Sequence, residues 1–178
     1  EGRAALARIE QATAQQMRGR LQVEMDSTLG FIDFARQRTE ARLRHALVEH
    51  VDSAFQIAEA IHRQESPRRP AAEVKRMIVE ALRPVRLLGG GGYYFIGQMD
   101  GRFVLHPVAT YFEGRDISDL EDDTGSRFVR RMFVAAGNGG HDGFTRYRWY
   151  TPGDSKQMSD KLSSVRRFAP YDWFIGRG

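Results

Sequence analysis

The hydrophobic periodicity of the chain changes once, and this change divides the sequence into a helical part and a strand-forming part. From residue 3 to about residue 63, apolar side chains recur at spacings of three and four, which predicts one long helix or two collinear helices. The members of this stripe are Met17, Leu21, Met25, Leu29, Ile32, Leu43, Leu47, Val51, Ala54, Ala58 and Ile61. Gly30, which follows Ser27-Thr28, is the position where we expect an interruption.

Prolines separate this first region from a second helix. Ser66-Pro67 ends the first region, and Pro70 begins the second helix, which Arg83-Pro84 closes. One face of the second helix holds Val74, Met77, Ile78 and Leu82. The sequence up to residue 88 is therefore predicted to be helical.

After the glycines at 89–92 the period becomes two, and aromatic and β-branched residues become frequent, which predicts strands. The five predicted strands are Tyr93–Gln98, Phe103–His106, Phe144–Tyr150, Leu162–Phe168 and Trp173–Gly176. Asp100-Gly101 predicts a tight two-residue turn between the first two strands. A short helix, capped by Asp123 or Thr124, is predicted to hold Phe128, Met132, Phe133 and Ala136.

These elements predict an α+β fold. A long N-terminal helix, or a helix pair, and a second helix would pack on a five-stranded antiparallel sheet. The helical region would occupy residues 1–88 and the sheet residues 89–178, and the two would form one folded unit.

The composition excludes several kinds of site. The 178 residues contain no cysteine, which excludes a disulfide, a thiolate metal site and a cysteine nucleophile. The net charge is +4, but arginines alternate with acids and the only lysines are Lys75, Lys156 and Lys161, so we expect no nucleic-acid binding. No apolar run approaches the ~18 residues that a membrane span requires.

The sequence shows no catalytic or metal motif. The glycine run leads into a strand and lacks the Gly-Lys-Ser/Thr of a phosphate loop, and Ser163-Ser164 lacks the Gly-x-Ser-x-Gly of a nucleophile elbow. No two of the five histidines have the i, i+4 spacing of metal ligands; they are His45, His50, His62, His106 and His141. We therefore expect neither an enzyme nor a bound metal or cofactor.

Strand alternation brings aromatic and polar side chains to one face of the sheet. Tyr147 and Trp149 should point inward, while Arg146 and Arg148 point outward. On the next strand, Lys161, Ser163 and Val165 share a face. A plain aromatic core and a solvated Lys161 would account for this pattern, but the same face could bind a small anion. The candidates for such a site are Lys161, Ser163, Tyr147, His106 and Tyr93.

An ordered series of short motifs runs through residues 89–178. The motifs are Tyr93-Tyr94-Phe95-Ile96, Asp100-Gly101, His106-Pro107, Glu113-Gly114-Arg115-Asp116, Gly143-Phe144, Tyr147-Arg148-Trp149, Pro152-Gly153, Lys161-Leu162-Ser163 and Trp173-Phe174-Ile175-Gly176-Arg177-Gly178. In this order, the series resembles the single Cache sensor domains of bacterial chemoreceptors, sensor histidine kinases and diguanylate cyclases. The preceding helices resemble that family's long N-terminal helix and helical cover.

The resemblance implies a periplasmic domain between two membrane-spanning helices, with a PAS-like sheet whose pocket binds a small ligand, often a short carboxylic acid. Carried over residue by residue, the pocket positions are Tyr93, Phe95, His106, Tyr147, Trp149, Lys161 and Ser163. The sequence departs from the family pattern at Thr151, Ser164 and Tyr171-Asp172, which leaves the identity of the ligand open.

Three interpretations of function follow. In the first, the chain is the extracytoplasmic sensor of a membrane-anchored signalling protein, and it forms a parallel homodimer through the stripe around Leu21, Met25, Leu29 and Ile32. In the second, it is a cytoplasmic PAS-like module that carries haem or flavin. In the third, it is a helical dimerisation module with a merely structural sheet.

Overall fold

The computed structural model describes residues 2–87, 91–137, 143–151 and 154–178. Part of the glycine run, His141 and Pro152-Gly153 lie outside these residues. No helix among the described residues has both the length and the apolar character needed to cross a membrane.

Two helices precede the sheet, as predicted. Helix α1 spans Gly2–Glu65 and helix α2 spans Ala71–Leu82. Pro70 occupies the N-cap of α2 and Arg83 its C-cap, and Val74, Ile78 and Leu82 form its buried face. The fixed backbone angle of proline and its missing N–H suit a helix start, which explains why Pro70 marks this boundary.

The chain divides into two compact units, residues 1–43 and residues 44–178. The first unit consists of the N-terminal part of α1. The second contains the rest of α1, α2 and the whole sheet. The division of the chain at residue 88 remains a prediction.

The expected interruption of the first helix is wrong, because α1 continues through Gly30. One glycine costs a helix only about 1 kcal/mol, which the remaining backbone hydrogen bonds of a 64-residue helix can offset. The hydroxyl of Thr28 donates to the carbonyl of Glu24 at 2.8 Å, so this side chain is satisfied within the helical conformation.

The sheet is antiparallel, and the described residues form six strands, one more than predicted. The strands are β1 (Arg86–Leu87), β2 (Gly92–Gln98), β3 (Phe103–Leu105), β4 (Phe144–Thr151), β5 (Asp154–Phe168) and β6 (Trp173–Arg177). Their order is β1-β2-β6-β5-β4, and β3 pairs with β2 beside this path. The additional strand, β1, has two residues, which is too short for a periodicity to show. Helix α3 (Phe128–Gly137) connects the β3 side of the sheet to β4.

Three local predictions need correction. Strand β5 begins at Asp154, eight residues before the predicted start, because its polar first half lacks apolar alternation and is held by backbone pairing with β4. The link between β2 and β3 is longer than a two-residue turn: the Gln98 N–H donates to the Arg102 carbonyl, and the register shifts at Gly97. Neither Asp123 nor Thr124 caps α3, which begins only at Phe128.

Each face of the sheet has its own core. On one face, Tyr94 and Ile96 of β2 pack with apolar residues of α1 and α2. On the other face, Tyr93 and Phe95 pack with α3 and with the aromatic residues of β4. A Cβ at Gly176 would lie 2.4 Å from the Phe95 ring, so a glycine is required where this ring crosses β6.

Candidate ligand-binding site

The seven predicted pocket residues lie on the α3 side of the sheet or just beyond it. Their positions are Tyr93 and Phe95 on β2, His106 directly after β3, Tyr147 and Trp149 on β4, and Lys161 and Ser163 on β5. Lys161 is half-buried and the other six are buried. Tyr147 and Trp149 point inward as strand alternation predicts, with Thr145 buried on the same face.

His106 lies among aromatic rings. Its ring centroid is 4.9 Å from that of Phe103, 5.3 Å from Tyr93 and 5.5 Å from Trp149. Burial, and secondly the charge of Lys161, lower the pKa of His106 to about 4. The imidazole is therefore neutral at pH 7, and its buried Nδ1 has no hydrogen-bond partner in the part of the chain that the structure describes.

Lys161 has an aromatic partner instead of an acidic one. Its ammonium nitrogen lies 4.7 Å from the centre of the Tyr93 ring and 3.4 Å from the Tyr93 hydroxyl. No carboxylate in the described part of the chain lies within ion-pair distance of this nitrogen. Burial lowers the pKa of Lys161 to about 8, so the side chain is a mostly protonated but poorly compensated cation at pH 7.

A buried hydroxyl pair joins β4 to β5. The Tyr147 hydroxyl and the Ser163 hydroxyl are 2.9 Å apart, and either oxygen could donate. Burial raises the pKa of Tyr147 to about 12, against the opposing effect of the bond to Ser163. The Tyr147 ring also stacks on Phe128 of α3, with centroids 4.5 Å apart and planes 8° from parallel. Ser163 is therefore engaged by Tyr147, and α3 closes over both.

The indole N–H of Trp149 is, after Nδ1 of His106, the second buried polar atom at the site without a hydrogen-bond partner among the described residues. It is nevertheless close enough to the Tyr93 hydroxyl to oppose part of the rise in the pKa of Tyr93. That rise is caused first by burial and then by the neighbouring Tyr147. Buried donors and acceptors are usually satisfied, so two unsatisfied atoms on adjacent rings are an uncommon feature.

A small cavity lies between these rings. It is lined by Phe95, Phe103, His106, Phe128, Met132, Tyr147 and Trp149. Its free volume is about 10 Å³, which is close to the room that one water molecule needs. Four of the seven predicted pocket residues line it, whereas Tyr93, Lys161 and Ser163 do not.

Three cavity residues were missed by the sequence analysis. Phe128 and Met132 are four positions apart on the apolar face of α3, so their spacing could have placed both on this side of the sheet. Phe103 could not be assigned by alternation, because it packs on the cavity side while Leu105, two positions later, packs in the opposite core.

Asp122 organises the segment that enters α3. Its Oδ1 accepts hydrogen bonds from the backbone N–H and hydroxyl of Thr124 and from the N–H of Ser126, and its Oδ2 accepts the N–H of Arg148 on β4. Burial alone would raise the pKa of Asp122, but these hydrogen bonds outweigh it and lower the pKa to about 2. The carboxylate thus fixes the start of α3 against the strand that carries Tyr147 and Trp149.

Comparison with known proteins agrees with this architecture. Over 90 residues the chain is 32% identical to the sensor histidine kinase MctS of Rhizobium johnstonii, a match that covers 51% of this chain. The chain spans about a fifth of that relative's length, since the match covers 19% of it.

Two solved structures have a similar fold. A periplasmic sensor domain of a chemotaxis protein is 27% identical, with a TM-score of 0.65 and coverage of 77% of this chain and 92% of the other. A Cache chemosensory domain studied for carboxylic acid recognition is 22% identical, with a TM-score of 0.66 and coverage of 79% and 92%. At this identity the second comparison supports the fold alone.

A family model described as a Cache domain matches residues 3–178. Cache domains are ligand-binding sensor modules and not enzymes, and the predicted fold class and family are both confirmed. The match covers nearly the whole sequence, and the chain therefore belongs to the Cache domain family of periplasmic sensor domains.

Proposed function

We propose that the chain is the sensor of a membrane-anchored signalling protein and that it binds a short carboxylic acid beside Lys161. The observation that carries the proposal is the ammonium of the half-buried Lys161, which has Tyr93 as its partner and no described carboxylate within ion-pair distance. A solvated lysine would be fully exposed, whereas Lys161 is half-buried against an aromatic ring.

The carboxylate of the acid would take the place of the missing counter-charge. Its oxygens would accept from the Lys161 ammonium and from the Tyr93 hydroxyl, and charge-assisted hydrogen bonds of this kind are the strong ones. The unsatisfied Trp149 N–H would be a further donor. Ser163 would contribute only if it exchanged its bond to Tyr147 for one to the acid.

The aromatic cavity would enclose the hydrocarbon part of the acid. A free volume of about 10 Å³ does not admit an acid of four or more heavy atoms. We therefore expect binding to displace cavity side chains, and the stack of Phe128 on Tyr147 is where α3 can move away from the sheet. Ligand binding would then favour a conformation in which α3 is displaced from the sheet.

We also propose that the domain forms a homodimer through its N-terminal helix. Leu21, Met25, Leu29 and Ile32 are each between 55% and 59% exposed, although all four are large and apolar. They recur at helical spacing along one side of α1, which is the pattern of a helix that packs on a second helix.

Calorimetric titration with acetate, propionate, pyruvate and lactate tests the ligand proposal. We expect at least one acid to bind the unmodified chain, and Lys161→Met to weaken its binding by more than about tenfold. Lys156→Met, at an exposed position of the same strand, is the matched control and should bind normally. The carboxylate assignment is wrong if none of the acids binds, or if Lys161→Met binds the active acid as tightly as the control.

A further inference from the structure

Glu113 connects three elements around His106. Its Oε1 accepts the backbone N–H of His106 at 2.8 Å and a guanidinium N–H of Arg83 at 2.9 Å. Its Oε2 accepts a second N–H of Arg83 at 3.0 Å, so the contact with Arg83 is bidentate. Arg83 is the C-cap residue of α2, which packs on the opposite face of the sheet.

The backbone around Glu113 also holds the cavity wall. The Gly114 N–H donates to the Phe103 carbonyl at 2.8 Å, and the Phe103 N–H donates to the Arg115 carbonyl at 3.3 Å. The segment with Glu113 therefore runs beside β3, and Phe103 and His106 are the two cavity residues at that edge. The position of His106 thus depends on where the Glu113 carboxylate is held.

The charge of Glu113 beside His106 matters for an anionic ligand. The Arg83 and Glu113 side chains are 39% and 22% exposed, so water screens their attraction, but the bidentate geometry favours the ion pair. Burial raises the pKa of Glu113, but the hydrogen bonds from Arg83 and from the His106 N–H outweigh it, and Glu113 remains ionised. A negative charge beside His106 would repel an anionic ligand unless it were neutralised.

We propose that Glu113 is a positioning residue for His106, and that Arg83 neutralises Glu113 so that an anionic ligand can bind on the cavity side of His106. This inference rests on the proposed carboxylic acid ligand. Arg83, at the C-terminal end of α2, would then affect ligand affinity, although neither Arg83 nor Glu113 lines the cavity.

The first test compares propionate binding by three variants in calorimetric titrations. Arg83→Met leaves the charge of Glu113 uncompensated, and we expect about a tenfold loss of affinity. In Arg83→Met/Glu113→Gln that charge is removed while an acceptor for the His106 N–H is kept, so most of the affinity should return. Arg69→Met breaks ion pairs to Glu65 and Glu73 at the other end of α2 and should bind propionate normally.

The second test needs no ligand, because it follows the titration of His106 by NMR. Among the described residues, the charged and titratable groups around His106 are Lys161, Tyr93, Tyr147 and Glu113. Without Arg83, the uncompensated Glu113 should stabilise the imidazolium, so Arg83→Met should raise the pKa of His106 while Arg69→Met leaves it unchanged.

The two tests separate the inference from the function on which it rests. If the unmodified chain does not bind propionate or any other short acid, the proposed function fails and the NMR titration alone decides the positioning role. An unmoved His106 pKa in Arg83→Met overturns the inference. So does a double variant that binds propionate no better than Arg83→Met, since a purely structural role predicts that a second change adds to the damage.

Discussion

The ammonium nitrogen of Lys161 lies over the face of the Tyr93 ring, 4.7 Å from its centre and 3.4 Å from its hydroxyl oxygen. A ring face attracts a cation but neutralises none of its charge. The aromatic contact therefore only partly offsets the cost of removing the ammonium from water.

Lys161→Met should raise the stability of the domain. Its folded-state pKa of about 8 lies below the ordinary 10.5, so the charged form destabilises the folded state at pH 7. We expect a gain of about 1 kcal/mol after the loss of the cation–π contact. The gain should shrink as the pH rises from 8 to 10.5, because lysine then becomes neutral in both states. Urea unfolding at pH 7 and pH 9.5 measures this gain in the free energy of unfolding, with Lys156→Met as the control. A loss of stability in Lys161→Met at pH 7 would contradict the prediction.

The affinity for the acid should fall as the pH rises through about 8. Only the protonated form of Lys161 pairs with a carboxylate, and burial places the pKa of this side chain near that value. At higher pH each unit should cost up to about tenfold in affinity, because binding then requires the uptake of a proton. Titrations between pH 6.5 and pH 9.5 test this. An affinity that is constant across this range would show that Lys161 does not hold the carboxylate.

His106 should make the domain less stable in mild acid. Burial, and secondly Lys161, lower its folded-state pKa to about 4 from the ordinary 6.5. The contribution of the neutral His106 to the free energy of unfolding is fully present above pH 6.5 and is lost as the pH falls toward 4. In this range the unfolded chain binds a proton at His106 that the folded chain does not bind. In His106→Gln the fall in unfolding free energy over this range should be smaller. His45→Gln, at an exposed position of α1, should keep the full fall.

Asp122→Ala should destabilise the domain by about 1–2 kcal/mol, since it removes the acceptor of four hydrogen bonds at the start of α3. The contribution of Asp122 is present above its unfolded pKa near 3.8 and is lost as the pH falls through about 2. Thermal unfolding at pH 7 checks the magnitude. Asp160→Ala, whose side chain is 89% exposed, should change stability by less than about 0.5 kcal/mol.

Met25→Glu should weaken dimerisation without unfolding the sheet. The substitution places a charge in the apolar stripe of α1, where a second helix would pack. Val23→Glu is the matched control, because Val23 is also an exposed apolar residue, 69% against 57% for Met25, but points to the other side of the helix. Sedimentation velocity should show a lower dimer fraction for Met25→Glu alone. Equal sedimentation of both variants and the unmodified chain would contradict the dimer through this stripe.

Helices and strands that bury one face could be predicted from the sequence, because such burial places apolar residues at regular helical or strand spacing. The face of β4 with Tyr147 and Trp149 is such a case, and so is the buried face of α2. The polar first half of β5 could not be predicted, since it is held by backbone bonds to β4 that leave no pattern in the side chains.

Some contacts of the candidate site could not be predicted from the sequence for a different reason. Lys161 could be placed on the correct face by alternation, but its contact with Tyr93 joins strands that are not neighbours in the sheet. The link from Arg83 through Glu113 to His106 likewise depends on how separate segments meet in space. Contacts of this kind follow from the tertiary fold and not from local spacing.

The alternation of β2 between two cores has an evolutionary consequence. Tyr93 and Phe95 contribute to the cavity side, whereas Tyr94 and Ile96 contribute to the side that packs on α1 and α2. Under the proposed function, substitutions of the first pair would change which molecules bind on the cavity side, while the second pair would keep the helices packed on the sheet. Ligand preference could then diverge among related domains through changes on one face of a single sheet, without changes in the helical side of the domain.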